Sequence, residues 1–166
     1  MTKKIYIARH AESLYGNFKD HARPLSLKGI EDCKKLGQVL YQLGELPKLI
    51  IASDSVRTLE TANHLKKAMN LNINIIADSS LYNCKEEELL RVITLINGDI
   101  SSLMIIGHNP TIEKFCFSII SQNCTDNSIR IPTSIIPATI MAFEAKVDNW
   151  ITIQKSDFKY RWFLQP

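Results

Sequence analysis

Lys4-Ile5-Tyr6-Ile7-Ala8 runs without a break into Arg9-His10-Ala11. The apolar run reads as a short buried strand, and the histidine falls just past its carboxyl end. Leu103-Met104-Ile105-Ile106 repeats the arrangement much later, running into Gly107-His108-Asn109-Pro110. Two histidines that each follow a buried strand can meet at one edge of a parallel sheet. That carboxyl edge is where open α/β sheets bind ligands. Between them, Leu49-Ile50-Ile51-Ala52 leads into Ser53-Asp54-Ser55-Val56-Arg57-Thr58 and supplies a second arginine. Two arginines and two histidines converging on one spot make a site for a dianionic phosphate, where imidazole can also act as nucleophile.

Outward from these strands the chain alternates. Ser26 reads as an N-cap, after which Ile30, Cys33, Leu36, Leu40 and Leu43 recur at helical spacing until Gly44. Leu59, Ala62, Leu65 and Met69 share one face of a second helix, and Ile73 to Ile76 reads as a strand. Glu86 to Ile96 is a helix with Leu89, Leu90, Ile93 and Ile96 inward, and Pro110 suits the first position of another. Ile135 to Phe143 and Trp150 to Gln154 read as a closing strand pair around Asp148-Asn149. Strands alternating with helices predict a three-layer α/β/α architecture with a mostly parallel central sheet, in one domain over residues 1–166.

Composition narrows the function. The 166 residues carry a net charge of only +3, with no run of Lys or Arg, which argues against a nucleic-acid partner. No stretch approaches the ~20 apolar residues that span a membrane, and Ile5 to Ala8 is too short for a signal peptide. Cys33, Cys84, Cys116 and Cys124 show neither CxxC nor zinc-type spacing, and Cys33 and Cys116 fall on apolar helix faces. A reducing, cytoplasmic setting is therefore expected. No metal is expected either, because His10 and His108 lack Asp, Glu or Cys at ligand spacing.

Arg9-His10-Ala11, Arg57 with Thr58 and Thr61-Ala62 behind it, and Gly107-His108-Asn109-Pro110 resemble the histidine phosphatase superfamily. The likeness is to its short branch, the SixA-type phosphohistidine phosphatases. Arg23-Pro24-Leu25-Ser26 with Gly29, Glu86 to Ile93, Ile131-Pro132-Thr133 to Phe143 and Trp162-Phe163-Leu164-Gln165-Pro166 are similar to further segments of that branch. The resemblance implies a phosphoglycerate mutase-like fold without a cofactor. It gives His10, Arg9, Arg57 and His108 catalytic roles, with Arg9 and Arg57 holding the phosphate.

The residues themselves suit those roles. A neutral imidazole nitrogen can attack phosphorus if its other N–H is held by an acceptor. Arginine grips equatorial oxygens with a bidentate fork that lysine lacks. A protonated His108 would add charge opposite the nucleophile. Arg23 is either a loop residue or part of the mouth. Asn17 is a further phosphate candidate, as an asparagine is in larger relatives, although here it lies one residue further from the histidine. Ser53 is expected to shape a turn, Asn109 and Pro110 to set a helix start, and His21 and His64 to be exposed and inert.

Two departures matter. Ala11 replaces a glycine common in the larger family. Leu81-Tyr82-Asn83-Cys84 carries Asn83 where many superfamily members have a glutamate that protonates the leaving oxygen. Glu86, Glu87 and Glu88 follow, but acidic residues opening a helix are expected for dipole reasons alone. An alkoxide leaving group needs a general acid, whereas imidazole is basic enough to take its proton from solvent. The expected substrate is therefore a phosphorylated protein carrying phosphohistidine, such as a phosphorelay or phosphotransferase component. A phosphatase of small phosphate esters, a mutase and an inactive phosphoprotein-binding module are the alternatives.

Overall fold

The computed structural model describes residues 2–123 and 130–166, so Cys124 lies outside the described residues. Its centre is a six-stranded sheet built from β1 (Thr2–Arg9), β2 (Leu49–Ser53), β3 (Ile75–Asp78), β4 (Ser102–Gly107), β5 (Ile140–Lys146) and β6 (Phe158–Leu164). The spatial order is β3-β2-β4-β1-β5-β6. The first four of these run parallel, while β5 is antiparallel to both its neighbours. The sheet is thus mostly parallel, with an antiparallel hairpin added at one side.

Alternation along the strands builds two cores. Ile5, Ile7, Leu103 and Ile105 point to one face, where α3 (Glu86–Thr94) and α4 (Thr111–Asn123) add Leu89, Ile93, Phe115 and Ile119. Tyr6, Ala8, Met104 and Ile106 point to the other, against Leu36 and Leu40 of α1 (Leu27–Leu43) and Leu65 of α2 (Val56–Ala68). Both faces are covered, so the central strands read as unbroken apolar runs. The architecture is the expected α/β/α three-layer one.

Local signals act as physics requires. The Ser26 side chain accepts from the Gly29 N–H at 3.0 Å, and Gly44 closes α1 in the left-handed region at φ 66. Gly29 also governs packing, because a Cβ there would sit 2.2 Å from the Glu12 carbonyl oxygen. Only glycine lets α1 approach the segment leaving β1 so closely. Ser26 N–H donates to Glu12 O and Leu14 N–H to Pro24 O, each at 2.9 Å, beside a Ser13–Leu25 bridge. These contacts close the loop 12–26 at its base.

Several boundaries differ from expectation: the first closing strand is Ile140–Lys146 rather than 135–143, and α3 ends at Thr94 rather than Ile96. The third strand is Ile75–Asp78 rather than 73–76, and α4 starts at Thr111, one residue after Pro110, behind a cis Asn109–Pro110 bond. The partner of β5 is Phe158–Leu164, not 150–154. Trp150 and Ile153 are buried three residues apart, as in a turn, and not at the two-residue period of a strand. Asn149 Oδ1 accepts the Ile151 N–H at 3.1 Å, and the Trp150 indole N–H donates to Ile100 O at 2.7 Å. The aromatic and β-branched composition suggests a strand there, but an Asx turn prevails.

Candidate active site

The carboxyl ends of β1, β2 and β4 deliver the candidate residues to one edge. Arg9 and Gly107 are register partners, so the residues after them leave the sheet side by side. The His10 N–H donates to Gly107 O at 3.0 Å, and the His10 carbonyl accepts from Ala138 N–H at 3.1 Å. Ala138 adopts φ 63, a left-handed backbone at a non-glycine residue in contact with the site. The His10 and His108 rings lie with centroids 5.2 Å apart.

Hydrogen bonds assign both tautomers. His10 Nδ1 is 2.8 Å from the Ala11 carbonyl, which only accepts, so Nδ1–H donates and Nε2 bears the lone pair. His108 Nδ1 lies 3.3 Å from Arg57 Nη2, which only donates, so Nδ1 accepts. Its Nε2–H therefore donates to Ser53 Oγ at 3.0 Å, which gives buried Ser53 a role beyond shaping a turn. Thr61 Oγ1 donates to Arg57 O at 2.6 Å and accepts from the Ala11 N–H at 3.0 Å. That residue ties α2 to the turn after His10.

Arg57 is 5% exposed at the start of α2. Its Nη1 donates to Asp20 O at 2.5 Å and its Nη2 to Asp20 Oδ2 at 3.0 Å. Arg9 Nη1 donates to Ile135 O at 2.9 Å. The Nε–H groups of both arginines are buried without a partner among the described residues. Buried guanidinium donors left over by the protein are the kind of group that an oxyanion satisfies.

Arg23 reaches the mouth of the site but is committed to its own loop. It donates to Leu14 O at 2.8 Å, to Ser13 Oγ at 2.8 Å and to Asp20 Oδ1 at 3.1 Å, and it stacks 4.0 Å over the Tyr15 ring. Asn17 is exposed in that loop with no hydrogen bond to the cluster among the described residues. His64 stays on α2 outside the cluster. Glu86 Oε2 accepts from Lys155 Nζ at 2.5 Å and Glu88 pairs with Arg91, so both carboxylates serve contacts elsewhere.

The sequence conceals an outer ring of groups at the mouth. Asp20 accepts the Tyr82 hydroxyl at 2.6 Å besides the two arginines. The Tyr82 hydrogen bond, then those of Arg23 and Arg57, hold its carboxyl far below the usual carboxylate range. Asn83 is exposed at φ 52. It is thus Tyr82, and not the residue after it, that packs against His108, with ring centroids 5.4 Å apart. His21 is exposed, as expected from sequence, but it is tied into the mouth. It lies 2.9 Å from Asp54 and meets Tyr82 edge-on at 4.9 Å. These groups come from distant loops, and the only local sign of them is a charged stretch between β1 and the Ser26 cap.

Burial and the nearby Arg57 and Arg9 lower His10 to about 4, and burial followed by the His10 and Arg57 charges lowers His108 to about 3. Both rings are neutral at pH 7, and His108 donates to Ser53 rather than carrying the charge that its protonated form would add. The unfolded imidazoles titrate near the ordinary ~6.5, so below that pH the unfolded chain binds more protons. Stability should therefore fall as pH drops from about 6.5 toward 4, and depressed Asp20 adds to the same trend at the acid end. A bound dianion favours the protonated rings, so sulfate, which stays a dianion throughout this range, should bind with net proton uptake near pH 5.5. Calorimetric titration in two buffers of different ionisation enthalpy measures this. Equal heats in both would show that the imidazoles do not respond to the anion.

Residues 5–85 match the model of the histidine phosphatase superfamily (branch 1). An uncharacterized chloroplastic protein of Arabidopsis thaliana is 33% identical over 125 residues, 69% of this chain, which spans only 57% of that relative's length. The SixA protein of Agrobacterium tumefaciens superposes with a TM-score of 0.82 at 22% identity, covering 99% of this chain and 98% of its own. A protein histidine phosphatase SixA complexed with tungstate superposes with a TM-score of 0.74 at 16% identity, covering 97% and 96%. Among the described residues no helix is long and apolar enough to cross a membrane. With its strand-end histidines, its paired arginines and the family match over the first half, the chain belongs to the histidine phosphatase superfamily and has the fold of its SixA-type members.

Proposed function

We propose that this protein is a phosphatase that removes the phosphoryl group from phosphohistidine on proteins, through a phosphorylated His10. The observation that carries the reading is the His10 tautomer: Nδ1–H is held by the Ala11 carbonyl, leaving the Nε2 lone pair beside two arginines with spare buried N–H groups. Nε2 attacks phosphorus while Arg9 and Arg57 hold the equatorial oxygens, with the His108 ring fixed beside the nucleophile by Arg57 and Ser53. The substrate nitrogen leaves with its electron pair and takes a proton from solvent. Water then attacks phospho-His10, giving inorganic phosphate and restoring the lone pair. The arginines supply the charge that a metal would bring.

The substrate class follows from proton supply. Asn83 is turned outward and Glu86 and Glu88 are engaged elsewhere. Asp20 is held ionised, so it has no proton to give at neutral pH. Imidazole needs none, and an alkoxide does. Leu14, Tyr15 and Phe18 are exposed on the loop that carries Asp20 and Arg23, an apolar rim suited to a protein partner. A phosphorelay or phosphotransferase component fits that description. A cytoplasmic setting belongs to the same reading, supported by free Cys33, Cys84 and Cys116 among the described residues.

A panel of phosphohistidine proteins, aryl phosphates and alkyl phosphates tests this. Phosphohistidine and aryl phosphates should be cleaved, and alkyl phosphates should lag by roughly 10²-fold or more, the usual worth of a general acid. An alkyl phosphate hydrolysed as fast as a phosphohistidine protein would make a small-ester phosphatase the better description. Binding of phosphoproteins without turnover of any substrate would favour a docking module.

A further inference from the structure

His21 sits in the short 3-10 turn Asp20–Ala22 and ends a row of rings. His10 and His108 lie 5.2 Å apart, His108 and Tyr82 5.4 Å, and Tyr82 and His21 4.9 Å, measured between centroids. His21 Nε2 lies 2.9 Å from Asp54 Oδ1, and Asp54 directly follows the last residue of β2. A carboxylate only accepts, so Nε2–H donates and Nδ1 keeps its lone pair. The two side chains are 46% and 35% exposed, where an ion pair contributes little to stability. The fold therefore gains little from this pair, while the site gains an oriented imidazole open to water.

The other groups at the mouth are already occupied. His10 Nδ1–H is bound to Ala11 and its Nε2 takes the phosphoryl group, while both nitrogens of His108 are used by Arg57 and Ser53. The Tyr82 hydroxyl donates to Asp20, whose carboxylate already accepts from three donors. Among the described residues, the groups around His21 are Asp54, the Tyr82 ring, Asp20 with Arg57 upon it, and His108, whose charged form is disfavoured by His21. His21 Nδ1 has no hydrogen-bond partner among the described residues, which leaves that lone pair open to water.

We propose that His21, oriented by Asp54, is the general base for the water that hydrolyses phosphorylated His10; this rests on the phosphoenzyme reading above. In that step a water O–H bond breaks and an O–P bond forms. The P–Nε2 bond of His10 breaks, its electron pair returns to Nε2, and the water proton passes to His21 Nδ1, to be lost to solvent. Asp54 is a positioning residue that stabilises the resulting imidazolium.

The test is rapid-quench kinetics of the full chain with radiolabelled p-nitrophenyl phosphate, following nitrophenolate and label on the protein together. His21→Gln should form the phosphoenzyme at the parent rate but release phosphate on the order of 10²-fold more slowly. A stoichiometric nitrophenolate burst and nearly full labelling of the protein should result. Asp54→Asn should shift the balance the same way by a smaller factor. Unchanged dephosphorylation in His21→Gln, or an equal loss in both steps, would overturn the assignment. No label on the parent protein would overturn the phosphoenzyme reading itself, and this inference with it.

Discussion

Replacing His10 with alanine should abolish both turnover and the acid-labile phosphoenzyme. Removing a nucleophile costs on the order of 10⁴-fold or more, because the residual site can only bind and polarise. Here the loss should approach that scale, since the ring beside His10 cannot take over. His108 has both nitrogens engaged, Nδ1 by Arg57 and Nε2–H by Ser53. Ser53 is fully buried and accepts from His108. The fold should survive, because the backbone bonds of His10 to Gly107 and Ala138 do not involve its ring. Incubation with labelled substrate, followed by acid and base treatment of the trapped protein, reads the outcome. A labelled and active His10→Ala protein would refute the role.

Arg57→Lys should lower kcat/KM by roughly 10²–10³-fold although charge is kept, the cost of removing one preorganised transition-state donor. The guanidinium makes two bonds to Asp20 and one to His108 Nδ1, and still holds a buried Nε–H in reserve. A single ammonium cannot span these directions. Its loss would also free the His108 tautomer, since the acceptor role of Nδ1 is imposed by Arg57. Steady-state kinetics alongside a thermal melt separate the local effect from unfolding. Near-normal turnover would place Arg57 outside the site.

What the sequence reveals and hides has a physical pattern. Strands β1, β2 and β4 are covered on both faces, so they are written as continuous apolar runs, and each displays the residue that follows it. Ser26 and Gly44 mark α1 because each satisfies backbone groups at one helix end. Strand β6 does alternate, with Lys159 and Arg161 between Phe158, Tyr160 and Trp162. But the aromatic and β-branched run at 150–154 lies nearer β5 in sequence and competes with it. At the site, His10, Arg9, Arg57 and His108 each follow a legible strand. Asp20, His21, Tyr82 and Asp54 acquire meaning only through contacts between distant loops: Tyr82 meets Asp20 62 residues away in sequence. No periodicity or spacing encodes such a contact.

The loop 12–26 is tied at its neck by Glu12, Ser13, Leu14, Pro24, Leu25 and Ser26, with Gly29 packed beneath. A neck of this kind isolates the tip from the scaffold. Doubling the length of a flexible loop adds only about 0.6 kcal/mol of closure entropy, so the tip can grow or change without loosening α1 or the strand ends. The exposed side chains Leu14, Tyr15 and Phe18 can therefore vary apart from Asp20, which is held by Arg57. A fold built this way can change the face it shows a partner through those few apolar side chains while Asp20 and His21 stay in place behind them.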